Sequence, residues 1–370
     1  MVKLNKIDHL PVRYDRIMTK KRILVAPLNW GLGHATRCIP IINELQRSGF
    51  ETLIASDGAA LELLKKEFPD LIHFELPSYN IQYSRKATFL KWKIMRQLPH
   101  LYKTIQAEKK RTEVLVEKHS ITGIISDNRL GVRSKNLNKN IYITHQLNVL
   151  NGIFTNISSY LHQRYIQNFD QCWVPDLEGE INLSGKLGHP ATKPENLRYT
   201  GVLSRLRKKA VPVKYDFLII LSGPEPQRGI LEEILLKEFQ HSDHKILFIR
   251  GVINDEVLNT VNPNIDIRNY MFGSDLEEAF NGSKHIISRS GYTSLMDMAE
   301  MDKKAFLIPT PGQPEQTYLA KRLEKLNIAP YCMQEDFKLD KLKVISHYKG
   351  LGGFGGQRIN STLFTFFEGE

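Results

Sequence analysis

The sequence predicts an α/β protein made of two parallel-sheet units, and three observations predict it. Short β-branched and apolar runs alternate with helical patterns along nearly the whole chain, which reads as βαβ units. The alternation stops at a basic, proline-containing stretch, 205–212, and then restarts, which reads as a second unit. Each apolar run ends in a polar or glycine-rich turn, and ligands of open parallel sheets sit outside the carboxyl ends of the strands. The two rows of turns predict two Rossmann-like domains facing each other across a cleft.

Taken in order, the first unit has strand-like runs at 22–28, 51–55, 71–76, 122–126, 140–144, 171–174 and 196–200. The second has them at 215–221, 245–249, 265–268, 285–288, 305–308 and 330–333. Helical patterns fill most gaps, at 39–48, 58–67, 229–239, 275–280, 293–300 and 316–326. The domains expected are an N-terminal extension over 1–20, a first domain over 21–204, a second over 205–349, and a tail over 350–370. The tail, rich in glycine and then phenylalanine, is too short for a domain and is expected to pack back on one of them.

Composition narrows the function classes. The 370 residues are 41% hydrophobic and 25% charged with a net charge of +11, which excludes disordered and collagen-like chains. No apolar run approaches the roughly 18 residues a membrane span needs. The first residues mix Lys3, Lys6, Asp8, Arg13 and Asp15 with no apolar h-region, so a cytoplasmic location is expected. Cys38, Cys172 and Cys332 are too few and too far apart for a disulfide framework or a Cys-x-x-Cys metal site.

The positive charge concentrates in 85–111. Arg85, Lys86, Lys91, Lys93, Arg96, Lys103, Lys109, Lys110 and Arg111 face a single acid, Glu108, and Phe89, Trp92 and Tyr102 lie among them. This suits a helical pair broken at Pro99. One side would be a solvated face on core-packed helices, or a surface attracted to anionic lipid headgroups or an anionic acceptor. Nucleic acid is not the expected partner, because no zinc finger, RNP-type signature or basic recognition helix accompanies the charge.

The first glycine loop is Gly31-Leu32-Gly33-His34-Ala35-Thr36. Glycine there allows close backbone approach, and the following helix start favours an anion. A dinucleotide fingerprint would need glycine where Thr36 stands, although Asp57 lies about where a ribose-binding acid would. Pro40 is comfortable only in a first helical turn, so the loop is expected to run to about Cys38 with His34 at its crest. There His34 can take a proton from a hydroxyl or a water near neutral pH. Asp127-Asn128-Arg129 and His145-Gln146 end neighbouring strands.

The second constellation is Arg289-Ser290-Gly291-Tyr292-Thr293, between a strand and a helix. Backbone N–H groups of Gly291, Tyr292 and Thr293, with the Ser290 and Thr293 hydroxyls, can cradle a diphosphate. Asp297 follows Thr293 at i+4, on the same helix face, where a carboxylate can accept ribose hydroxyls. The turn Pro311-Gly312-Gln313-Pro314-Glu315-Gln316 is stiffened by proline and carries amide and carboxylate groups suited to sugar hydroxyls.

These segments, 27–40, 289–297 and 309–320, resemble the GT-B glycosyltransferases of family 28, whose best-known member makes lipid II. The resemblance runs from about residue 20 to the end. It implies a nucleotide-sugar in the C-terminal domain and an acceptor at the N-terminal glycine loop. Ser290, Gly291 and Thr293 would line the diphosphate and Asp297 would bind ribose. Gln316 would contact the sugar, Met271 would abut the base, and His34 would match the loop histidine. The chain departs from the family at Ser222-Gly223-Pro224-Glu225-Pro226-Gln227-Arg228, where a glycine-rich turn is usual, so Ser222, Gly223 and Arg228 are only positional counterparts of phosphate ligands. Asp297 stands where glutamate is usual, and only Gly31 and Gly33 remain of the paired glycines.

The reading that results is an inverting, metal-independent transferase using a UDP-sugar, with UDP-N-acetylglucosamine the default, as co-substrate and no cofactor. His34 is the expected base, with Asp127 a second candidate. Gly31, Gly33, Asn128, Arg129, His145 and Gln146 are expected on the acceptor side, and no metal ligands are expected, since no Asp-x-Asp triplet follows a strand. The acceptor, lipid-linked or glycan, is unidentified, and 85–111 would bring the protein to the inner face of a membrane. Two other readings stand beside it. One is a nucleotide-sugar hydrolase in which His34 activates water. The other is a dinucleotide-binding oxidoreductase or a non-catalytic nucleotide-binding protein.

Overall fold

The computed structural model describes residues 20–79, 90–149, 155–252, 258, 260–357, 359 and 361–369, with side chains left undescribed at 90–98, 156 and 157. The expected extension over 1–20 therefore lies almost wholly outside the described residues. So do Arg85, Lys86 and Phe89, and the side chains of Lys91, Trp92, Lys93 and Arg96.

Seven strands form the first sheet: β1 (Arg22–Pro27), β2 (Glu51–Ser56), β3 (Ile72–Glu75), β4 (Ile121–Asp127), β5 (Asn140–Ile143), β6 (Gln171–Val174) and β7 (Leu197–Tyr199). Their order is β3-β2-β1-β4-β5-β6-β7, all parallel. Five strands form the second: β8 (Tyr215–Ile220), β9 (Ile246–Ile249), β10 (Ile265–Arg268), β11 (Ser283–Ser288) and β12 (Lys304–Leu307). Their order is β10-β9-β8-β11-β12, again parallel. The middles of the central strands are apolar because both of their faces are covered; Ile23, Leu24 and Val25 are fully buried.

Each sheet reverses its strand order once, at β1/β4 in the first and at β8/β11 in the second. Loops diverge at such a point and leave a crevice at the carboxyl edge. In register, Pro27 lies beside Asp127 and Ser288 beside Ile220. The Gly31–His34 loop and Asp127 therefore flank one switch point, and the Ser222 and Ser290 turns flank the other.

The helices are α1 (Gly33–Arg47), α2 (Gly58–Glu67), α3 (Leu90–His119), α4 (Thr155–Ile166), α5 (Gln227–Glu238), α6 (Gly273–Asn281), α7 (Tyr292–Glu300) and α8 (Pro314–Lys325). Four sequence expectations are corrected here. Helix α1 begins at Gly33 and carries Pro40 inside it, so His34 stands in a first helical turn and not on a loop crest. Pro40 forfeits one backbone bond, but Ile39, Ile41 and Ile42 beside it are fully buried and hold the helix in place. Likewise α3 runs through Pro99 as one helix, its later turns anchored by buried Ile105, Leu115 and Val116. The expected strand at 330–333 is a single bridge between Tyr331 and Leu307, since Pro330 has no N–H to extend a ladder. Helix α4, rich in Ser, Thr and Asn, was not expected at all.

The tail crosses back. A 3₁₀ segment, Ser361–Phe367, buries Phe364 and Phe367 in the first sheet's core. Phe364 lies 5.8 Å from Trp173 and Phe367 6.1 Å from Phe50, ring centre to ring centre. Gly123 makes room, because a Cβ there would sit 2.4 Å from the Phe367 ring. Lys21 and Lys139 each donate to the Phe367 carbonyl at 3.1 Å. Burying two such rings contributes about 3–6 kcal/mol. Residue 201, leaving β7, touches the returning segment at the Gln357 carbonyl, where a side chain at Gly201 would clash.

Candidate active site

The first helical turn of α1 and the end of β4 build one face of the site. His34 Nδ1 lies 2.8 Å from Asp127 Oδ1. Arg37, one turn after His34, donates from Nε to Asp127 Oδ2 at 2.5 Å and from Nη2 to Oδ1. Asp127 is fully buried and Arg37 is 1% exposed. Burial works to raise the Asp127 carboxyl, but Arg37 and His34 outweigh it and hold it well below the usual carboxylate range. His34 Nδ1 lies between Asp127 Oδ1, which only accepts, and Arg37 Nη2 at 2.9 Å, which only donates; the tautomer with Nδ1–H on the ionised Asp127 is the one that keeps the Nε2 lone pair for a base. Among the described residues Nε2 has no partner. Burial, then Arg37, lowers the His34 pKa below 6.5 against the pull of Asp127.

The hydrogen bonds continue across to the second sheet. Arg37 Nη1 donates to His145 Nδ1 at 3.1 Å. That fixes the His145 proton on Nε2, which donates to Glu315 Oε1 at 2.7 Å. Gln146 donates to the other Glu315 oxygen. The His145 ring lies flat on Tyr292, 4.2 Å between centres and 2° between planes. Thr293 Oγ1 donates to the Gly33 carbonyl at 3.3 Å, and a Cβ at Gly33 would lie only 2.9 Å from that hydroxyl. The starts of α1 and α7 therefore meet, and Gly33 is the residue that lets them.

On the second sheet, α7 begins after Gly291 with no side-chain cap, which leaves first-turn N–H groups open to an anion. Asp297 accepts from Ser204 Oγ at 2.6 Å, and burial pushes its carboxyl up to about 6 against the pull of Arg205. Ser222 and Gly223 are exposed after β8, Met271 is half-buried, and Gln313 precedes α8.

Several expected site residues are placed differently. Arg129 is fully buried and spent on Glu108 at 2.7 Å and Asp57 at 2.6 Å, so it ties strand ends together and faces no acceptor. The same pairing occupies Asp57, so it does not stand free as a ribose-binding acid. Arg228 is held by Glu225 and Glu232, both at 2.5 Å, so its charge is already matched. Tyr292 turns its hydroxyl to the Pro175 carbonyl at 2.9 Å, serving the contact between the sheets. Ser290 Oγ donates to the Gln316 carbonyl at 2.8 Å, and Gln316 Oε1 accepts from Thr310 N at 2.9 Å; both hold turns in shape. Glu315 pairs with His145 and Gln146 rather than standing free for a sugar. Asn128 sits at φ +58° and accepts from Tyr142 at 3.2 Å. Arg37 was missed, although its i+3 spacing from His34 puts both on one helix face. Among the described residues no group of three or more His, Cys, Asp or Glu could hold a metal ion, and no helix is long and apolar enough to cross a membrane.

Comparison with known proteins adds a match over the second half of the chain and several distant relatives. Residues 217–345 match the glycosyltransferase family 28 C-terminal domain. An uncharacterized glycosyltransferase of Methanopyrus kandleri is 20% identical over 76% of this chain and 83% of its own length. The UDP-N-acetylglucosamine–N-acetylmuramyl-(pentapeptide) pyrophosphoryl-undecaprenol N-acetylglucosamine transferase of Listeria monocytogenes is 25% identical over 33% of this chain, which spans about a third of that enzyme (36%). The solved structure of spinosyn rhamnosyltransferase SpnG superposes with a TM-score of 0.64 at 12% identity, over 94% of this chain and 100% of that one. With two parallel sheets meeting at their switch points and a match to the family 28 C-terminal domain over 217–345, the chain is a GT-B-fold glycosyltransferase that resembles family 28.

Proposed function

We propose that the chain moves a sugar, by default N-acetylglucosamine, from a UDP-sugar to an acceptor hydroxyl with inversion. The observation that carries this reading is the meeting of the His34–Asp127 pair with the uncapped start of α7 through Thr293 and Gly33. A base and a diphosphate-ready turn then share one point. The acceptor oxygen attacks the anomeric carbon, its proton passes to His34 Nε2, and the bond from that carbon to the diphosphate oxygen breaks. Asp127 stays ionised and steadies the imidazolium. The α7 N–H groups take the charge of the leaving diphosphate, with no metal required. Asp297 accepts ribose hydroxyls, Met271 abuts the base, and Ser222, Gly223 and Gln313 border the donor. Glu315 and Gln316 shape the sugar side through their turn. The Listeria relative, whose name specifies UDP-N-acetylglucosamine, supports the default donor.

We also take residues 21–204 and 205–349 as the two domains. The acceptor approaches beside Gly31, Asn128 and Gln146, and the exposed Lys103, Lys110 and Arg111 of α3 draw an anionic surface toward that half at the cytoplasmic membrane face. The test is turnover of UDP-sugars beside UDP affinity in His34→Ala. Turnover is expected to fall about 10²–10⁴-fold with UDP affinity unchanged. Near wild-type turnover would remove His34 as base. Free sugar released without an acceptor would make the protein a hydrolase.

A further inference from the structure

Five arginines are buried among the described residues, and four have acids. Arg37 has Asp127, Arg129 has Glu108 and Asp57, and Arg228 and Arg250 share Glu232. Arg289, 1% exposed, has none. Its partners are neutral oxygens: the carbonyls of Gln227 at 2.7 Å, Ile308 at 3.2 Å and Pro309 at 3.3 Å, and Gln334 Oε1 at 2.6 Å. Among the described residues its Nε has no partner. Burial alone lowers its pKa, to about 10, with no carboxylate pulling the other way. Glu335 and Asp336, next in sequence to Gln334, are exposed, so the position that touches Arg289 holds an amide while acids stand beside it.

An unmatched buried charge is costly to keep. This one lies at the switch point of the second sheet. It joins the start of α5 at Gln227 to the end of β12 at Ile308, and it directly precedes the turn that opens α7. The positive end of α7 lies there with no side-chain cap, whereas the start of α5 already has the Glu225 carboxylate on the Gly229 N–H at 3.0 Å. Resting on the nucleotide-sugar reading above, we propose that Arg289 is a positioning residue whose missing counter-ion is the donor's diphosphate, attracted through the turn from behind rather than by direct contact. The charge then favours the diphosphate over the bare nucleoside, and it favours the leaving nucleoside diphosphate most.

Gln334→Glu tests this: its retained Oε1 can still accept from Arg289 while the new charge matches the buried guanidinium, and the one bond forfeited is that from Gln334 Nε2 to Gln227 Oε1 at 3.2 Å. Calorimetry on the full chain with UDP and with uridine, at pH 8, gives the readout. A unit charge at about 10 Å and an effective dielectric of about 20 changes affinity by about tenfold or more. UDP should therefore weaken about tenfold, uridine should hold, and the melting temperature should not fall. Arg289→Lys should keep the preference for UDP and Arg289→Met should lose it; this pair decides if Gln334→Glu does not fold. An unchanged UDP-to-uridine ratio in folded Gln334→Glu, or equal loss of both ligands in Arg289→Met, overturns the proposal and leaves Arg289 a structural hub. Wild-type protein that binds no UDP would instead overturn the nucleotide-sugar reading itself, and this inference with it.

Discussion

Asp127→Asn separates what Asp127 does for the fold from what it does for His34. The carboxylate accepts from His34 and Arg37 on Oδ1 and from Arg37 Nε on Oδ2. An amide has one acceptor to offer. With its oxygen toward His34 it points an NH₂ at Arg37 Nε, donor against donor. Turned over, it presents NH₂ to His34 Nδ1, which must then accept, and the ring proton moves to Nε2 where the base is needed. Either way the Arg37 charge, 1% exposed, loses its counter-charge, which costs about 3–5 kcal/mol. Turnover is expected to fall about 10²–10⁴-fold. Chemical denaturation and steady-state UDP release measure the two effects. The double variant Arg37→Met/Asp127→Asn should regain most of the stability and none of the turnover, because the buried charge is gone but the tautomer is still unset. The pH sign follows. A carboxyl held below its ordinary value stabilises fully above about pH 4 and loses that contribution as pH falls toward its folded value, and Asp127→Asn should flatten this acid limb. An Asp127→Asn protein as stable and as active as wild type would refute the pairing as the reason His34 is poised.

Three further outcomes are expected. His34 has a depressed pKa, so the base stays unprotonated to lower pH than a free histidine; the acidic limb of kcat/KM should lie below 6.5, and a limb at or above 6.5 would contradict the environment described for it. Asp297→Ala should weaken UDP binding by about 1–3 kcal/mol. Wild-type affinity should rise with pH through about 6 as the carboxyl ionises, and calorimetry that finds neither effect removes Asp297 from the site. The basic face of α3 should recover more protein on anionic than on neutral vesicles at low salt, with the difference fading at high salt; equal recovery returns α3 to a solvated face.

Strand positions were legible from apolar runs where both faces are buried and from alternation at an edge. The buried run at 171–174 coincides with β6, and the alternating run at 265–268 with the edge strand β10. The His34 and Ser290 turns were legible because glycines and hydroxyls cluster after such runs. Proline was overread: Pro40 and Pro99 argue locally for a break, and only tertiary packing, invisible in a window of sequence, overrides them. Charges were the hardest. Glu108 looks like one acid in a basic surface, yet it is buried with Arg129 and Tyr79, partners from distant segments. His145 and Glu315 are 170 residues apart, and nothing in either neighbourhood announces the pair.

The return of the tail makes the second sheet an insert. Chain leaves the first half near Gly201 and re-enters near Gln357, and these two backbones touch. The whole of β8 to β12 is thus a loop whose ends already meet, much as a branch emerges from a trunk at one node. A protease cut in either of the two crossing segments would leave the other intact, and the pieces would stay together through the Phe364 and Phe367 anchor. Deleting the last ten residues would do the opposite. It would leave every strand in place, yet strip a wall from the core beneath β1. A linker from 201 to 357 could therefore be short, but excising the insert would also open the core cluster that the two sheets share through Leu203, Tyr292 and Met296.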